Sequence, residues 1–260
     1  MPRAGKKINE DGQMAKGLIW FRTDLRIDDN PALLEAAKSC DELIGIYIFS
    51  QKQWNMHHES NVKQDFLIQN LTILEKQLRK LHIPLIIMQT DTFKVLSDDL
   101  QEFVTTHQIH SCYWNNEFGV NENKRDDEVE MLLRTNSIQV SRHHDQVIYE
   151  PGFLRTGQDK PFSVFTPFKR RWIENFSMNF LDLHQVDKPL KKTNLISDLS
   201  AITIKKNHQV DMDAWPAGEA NALARLQEFL DHKINNYSES RNTPILDGTS
   251  RISAYLALGI

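Results

Sequence analysis

The stretch Gly17-Leu18-Ile19-Trp20-Phe21-Arg22-Thr23-Asp24-Leu25-Arg26-Ile27-Asp28-Asp29-Asn30-Pro31-Ala32-Leu33 decides the fold. From Gly17 to Phe21 no charge interrupts it, as a strand buried on both faces of a parallel sheet requires. Asn30 and Pro31 then write a helix start: a side chain that can cap free backbone N–H groups, followed by a residue with none to leave unpaired. Between them, Arg22, Asp24 and Arg26 read as a salt-bridged turn. Strand, polar turn and helix in that order open a parallel α/β unit.

Downstream the alternation repeats. Glu42 to Phe49 is a second strand, and Asn61 to Leu81 places Val62, Phe66, Leu67, Leu71, Leu74, Leu78 and Leu81 on one helical face. Ile83 to Gln89 is a third strand, Asp91 caps a helix running to His107, and Cys112 to Trp114 is the fourth strand. Asn121 opens a helix to Thr135, and Ile138 to Ser141 is the fifth strand. The predicted fold class is α/β, a Rossmann-like, doubly wound parallel sheet. No GxGxxG follows the first strand, so the usual dinucleotide fingerprint is missing.

On this reading residues 1–15 form a disordered tail and 16–145 the α/β domain. Residues 146–212, where prolines and polar residues accumulate and Lys188-Pro189 and Lys191-Lys192 stand out, are a long exposed linker. At 213–260 an all-α domain begins, its first helix presenting Leu223, Leu226, Phe229 and Leu230 on one side of Glu219 to Leu230.

Lys+Arg 31 against Asp+Glu 35 gives a net charge of −4, without the basic footprint of a protein that grips nucleic acid over its whole surface. Only Cys40 and Cys112 are cysteines, with no CxxC, which argues against a disulfide scaffold or a structural zinc and for a reduced, cytoplasmic setting. His143-His144-Asp145 resembles a metal fragment only superficially, because adjacent strand residues face opposite ways; no metal is expected. No apolar run approaches the roughly 20 residues of a membrane helix, and no apolar segment follows Lys6 and Lys7 to make a signal peptide.

The motif Trp20-Phe21-Arg22-Thr23-Asp24-Leu25-Arg26 with Asp29-Asn30-Pro31-Ala32-Leu33 resembles the opening signature of the cryptochrome/photolyase family. Further blocks resemble that family in the same order: Gln53-Trp54, Val120-Asn121-Glu122 with Arg125-Asp126, Val164-Phe165-Thr166-Pro167-Phe168-Lys169, and Asp247-Gly248-Thr249-Ser250-Arg251-Ile252-Ser253-Ala254-Tyr255-Leu256. Together they run from about Gly17 to the last residue.

The resemblance implies a DNA photolyase, which reverses cyclobutane pyrimidine dimers in UV-damaged DNA by electron transfer from reduced FAD, after flipping the lesion out of the duplex. It assigns FAD contacts to Tyr237, Thr249, Ser250, Arg251, Ile252 and Ser253, and a DNA contact to Arg241. Independently of the family, Thr249 and Ser250 at a helix start beside Arg251 suit a phosphate, although a cap with Arg251 paired to a carboxylate explains the same residues. Within the family, Asn121 and Glu122 match the pair that holds the pterin of a light-harvesting folate, 5,10-methenyltetrahydrofolate, and His57 falls near another antenna contact. The plainer readings are a helix cap for Asn121 and a first-turn acid for Glu122.

The chain stops at Ile260, soon after the FAD block. The expectation is a monomeric front portion with no catalytic residue of its own, binding FAD poorly, repairing nothing alone and leaving apolar surface exposed at the start of the helical domain, with aggregation or a loose C-terminal tail. Two rivals stand beside this reading, a cryptochrome-type blue-light photoreceptor and a stand-alone α/β nucleotide-binding module.

Overall fold

The computed structural model describes residues 15–177, 183, 185–186, 188–202 and 210–260. The tail expected over residues 1–15 lies almost wholly outside them, as do parts of the expected linker. Five strands, β1 (Lys16–Phe21), β2 (Glu42–Phe49), β3 (Leu85–Gln89), β4 (Ser111–Asn115) and β5 (Gln139–His143), form one sheet in the order β3-β2-β1-β4-β5. Every neighbouring pair is parallel.

The continuous apolar run of β1 now has its reason. Ile19 and Phe21 enter a core with α1 (Pro31–Ser39) and α3 (Asn61–Lys80), whereas Leu18 and Trp20 enter a second core with α4 (Phe93–Thr106) and α5 (Val120–Thr135). Helices cover both faces, which makes the sheet doubly wound. Asn30 caps α1 as expected, accepting a hydrogen bond from Leu33 N at 3.1 Å, with Pro31 behind it. On α3 the residues Phe66, Leu67, Leu71, Leu74 and Leu78 are buried.

Some boundaries move for identifiable reasons. Pro84, which lacks an N–H to give a ladder, delays β3 from Ile83 to Leu85. Thr92, not Asp91, precedes α4, and the Asp91 carboxylate pairs with Lys52 instead. Gly119 precedes α5, so Asn121 is not its cap. A short helix missing from the sequence reading, α2 (Gln51–Met56), follows β2 and is capped by Ser50.

The segment read as a plain linker is more structured than expected. Phe165–Asn175 is a helix, α6, whose Trp172 meets Tyr149 edge-on and stacks on Phe176. Its aromatic residues at 165, 168 and 172 recur at helical spacing. Farther on, Lys191 N donates to Asp41 O, Ile87 N to Asp198 O and Asp198 N to Leu85 O. The chain thus covers the open edge of β3, although the side chains of Lys188, Pro189, Lys191 and Lys192 remain exposed.

Beyond residue 210, α7 (Glu219–His232), α8 (Tyr237–Ser240) and α9 (Ser253–Leu256) follow. Of α7 only Ala222 is buried; Leu223 is 58% and Leu230 43% exposed, so the expected apolar side lies largely uncovered. The expected loose C-terminal tail is not what forms. Tyr255 is fully buried, meets Phe66 edge-on at 5.3 Å and donates to the Pro216 carbonyl at 2.9 Å. Gly218 N donates to the Asn70 side chain at 2.8 Å. Among the described residues no helix is long and apolar enough to cross a membrane.

Candidate functional site

Strand order reverses between β1 and β4, and in open α/β sheets ligands collect outside the carboxyl ends of the strands at such a point. Here that position is filled from below by charge. Arg22, just past β1, donates through Nη1 to both carboxylate oxygens of Asp126 at 2.7 Å and through Nη2 to the Asn115 carbonyl at the end of β4. Asn115 Nδ2 donates to Asp24 at 2.6 Å and to Asn30 at 2.9 Å, and Asp24 accepts from Arg22 N at 2.6 Å. Arg125 adds bonds to Asp126 and Glu117, both at 2.8 Å. The charges of the turn are thus neutralised by distant residues, with Arg26 pairing to Asp145.

Burial and charge compete in this network with different winners. Burial pushes the Asp24 carboxyl up despite Arg22 and Asn115. Burial alone would raise Glu117 as well, but Arg22 and Arg125 outweigh it and hold that carboxyl below its ordinary range.

Above the network opens a cleft of about 740 Å³, within the range of small-molecule sites. Trp20 forms part of its lining; its ring lies 4.9 Å from each of the Arg22 and Arg125 guanidinium centres and meets Trp114 edge-on at 5.6 Å. Phe49 and Trp54, 5.0 Å apart, and Phe93 add aromatic surface. Two buried donors on cleft residues, Trp20 Nε1 and Arg22 Nε, have no hydrogen-bond partner among the described residues. A planar ring fits the aromatic part of this lining.

The cleft brings together the three residues assigned to the folate antenna. His57 comes from the end of α2, and Asn121 and Glu122 from the first turn of α5. Gln53 Oε1 lies 3.0 Å from His57 Nε2. Glu122 folds back over Gly119, where any Cβ would overlap its carboxylate. That position also serves the plainer role of a first-turn acid at a helix N-terminus. Trp20, Arg22 and Arg125 were legible as motif members but not as site residues, and Glu117 was not singled out at all, because only the fold shows that they share a cleft.

The residues assigned to FAD lie apart from this cleft. Helix α9 begins at Ser253, so Thr249 and Ser250 precede it by several residues instead of starting it, and Arg251 adopts φ 54°. Arg251 pairs with Asp247 at 2.9 Å, and Asp247 also accepts from Lys233 at 2.7 Å. Ser240 Oγ donates to the Asn236 carbonyl at 2.8 Å and lies 3.4 Å from the Gly248 carbonyl oxygen, which brings the segment of Tyr237 and Arg241 beside the block. Tyr237 is 40% exposed and lies under the Arg241 guanidinium at 5.7 Å. Arg251 is thus paired to a carboxylate, as the plainer reading of the block has it, and Lys233 is held by Asp247 and Glu228.

The DNA photolyase family profile matches residues 17–191. The deoxyribodipyrimidine photo-lyase of Buchnera aphidicola subsp. Acyrthosiphon pisum is 34% identical over 249 residues, covering 95% of this chain and 51% of that protein. A bacterial class III photolyase from Agrobacterium tumefaciens superposes with a TM-score of 0.79 at 25% identity, over 95% of this chain and 51% of its own. An archaeal photolyase from Sulfolobus tokodaii, solved with two FAD molecules and taken to imply a novel light-harvesting cofactor, shares the fold with a TM-score of 0.73 at 19% identity, over 94% of this chain and 52% of its own. The chain spans about half the length of the curated relatives it matches.

Proposed function

The chain belongs to the DNA photolyase family, and from that premise we propose that it is the light-harvesting portion of a deoxyribodipyrimidine photo-lyase, with a folate antenna in the cleft and the first contacts of an FAD site near its C-terminus. The observation that carries this reading is the meeting of His57, Asn121 and Glu122 around one aromatic-lined cleft. Glu122 accepts from the amino and ring N–H groups of a pterin, Asn121 supplies the complementary donor and acceptor, and His57 closes the rim. Trp20 and its neighbours exclude water from the ring. At the second site Thr249, Ser250, Arg251, Ile252 and Ser253 would meet the FAD diphosphate, with Arg251 exchanging Asp247 for phosphate oxygens, and Tyr237 would contact the same cofactor. Arg241 meets the backbone of the damaged DNA as a bidentate phosphate donor. Reduced FAD, when bound, supplies the electron that splits the pyrimidine dimer.

Illumination of UV-damaged DNA with flavin-loaded protein of the length of its relatives tests the activity. Light-dependent loss of dimers is expected; light absorption by bound flavin without any repair would point to a photoreceptor and overturn the assignment.

A further inference from the structure

Outside the two candidate sites, the Arg26 guanidinium makes four hydrogen bonds. Its Nη2 donates to Asp145 Oδ1 at 2.5 Å and to the Asp29 carbonyl at 2.6 Å; its Nη1 donates to Asp145 Oδ2 at 3.0 Å and to the Gly259 carbonyl at 3.1 Å. One guanidinium therefore clasps three separate pieces of chain: the loop between β1 and α1, the residues just past β5, and the segment just past α9. Burial alone would weaken its basicity, but the Asp145 carboxylate outweighs that and raises it.

The same junction is tight beside the clasp. Leu25 N donates to Leu258 O at 2.9 Å. Gly259, at φ 66°, lies so flat against the loop that a Cβ there would stand 2.1 Å from the Thr23 carbonyl oxygen and 2.6 Å from Asp24 Cα. Thr23 in turn donates to Glu117 at 2.8 Å. Thr23, Glu117 and Glu122 line the cleft and also a depression of about 680 Å³ whose other side is Leu256, Ala257 and Gly259. The cleft and the segment following Ser253 thus share a wall.

We propose that Arg26 is a positioning residue that fixes the distance and attitude of the FAD-block segment relative to the antenna cleft. Its purpose rests on the function proposed above, because excitation passes between two chromophores with an efficiency set by their separation and orientation. An arginine is required because its planar fork reaches Asp145, Asp29 and Gly259 at once, whereas a lysine offers one point charge. Lysine at position 26 keeps the ion pair and loses the clasp.

The test is a pulsed electron spin resonance distance measurement on the 260-residue chain without any chromophore. Spin labels are attached at Met131→Cys on α5 and Leu256→Cys on α9, which are 67% and 64% exposed. Cys40 and Cys112 are buried, and burial pushes both thiols up, so neither competes for label. The unmodified clasp should give one narrow distance. Arg26→Gln and Arg26→Lys should both lose that single peak while melting as folded proteins. An unchanged peak in both overturns the proposal. Should Arg26→Gln not fold, Asp145→Asn opens the same clasp from the other side, and an unchanged peak there is equally contrary. Failure of folate to bind would remove the antenna reading without altering these distances.

Discussion

Arg22 and Asp126, 104 residues apart in sequence, form a two-pronged contact of 2.7 Å to each carboxylate oxygen beneath the switch point of the sheet. Asp126 is fully buried and also accepts from Arg125. The pair ties the turn after β1 to α5 and supports the cleft from below.

Asp126→Asn removes the nearer of the two carboxylates that Arg22 and Arg125 share, leaving Glu117 alone against two buried guanidinium groups. Removing one partner of a buried pair costs about 3–5 kcal/mol. Urea denaturation should show a loss of that size; a change below about 1 kcal/mol, as at exposed pairs, would mean that water already screens the network.

Tyr255→Phe removes the hydroxyl that donates to Pro216 O and should cost about 1 kcal/mol. Tyr255→Ala empties a fully buried position against Phe66 and should cost about 3–5 kcal/mol. Equal, negligible effects of the two changes on the melting transition would show that the C-terminal segment does not dock on α3.

His143 supplies a pH dependence. Burial pushes its imidazole below the ordinary range, with Glu35 opposing the shift. The unfolded chain therefore takes up a proton first, near about pH 6.5, and the folded protein only at lower pH. Stability should fall as pH drops from about 6.5 towards the folded value, because protons bind the unfolded state in that window. In His143→Gln this fall should flatten, and a melting-temperature profile over the mildly acid range checks it; parallel profiles for the two proteins would exclude His143 as its source.

The strands and their order of appearance were legible because each is a short apolar run with a turn signal behind it, as Gly17 to Phe21 shows best. Asn30 was legible as a cap because its neighbour Pro31 fixes the register. Strand neighbours were not readable, and with them went the partners of Arg22 and Arg26: only the placing of β4 beside β1, and of β5 beside β4, brings Asn115 and Asp145 within reach. For the cleft, His57, Asn121 and Glu122 were found through family resemblance. Trp20, Arg125 and Glu117 become cleft residues only after folding. The C-terminal segment was misread because the burial of Tyr255 depends on α3, nearly 200 residues upstream, which local periodicity does not report.

The most direct test of the central claim is titration of the protein with 5,10-methenyltetrahydrofolate, followed by near-UV absorbance and by quenching of tryptophan fluorescence from Trp20 and Trp54 in the cleft. Saturable binding at one site is expected, weakened about tenfold by Glu122→Gln, which corresponds to about 1.4 kcal/mol, with unchanged melting behaviour. Absence of binding, or binding that Glu122→Gln leaves untouched, would contradict the assignment of this cleft to the antenna.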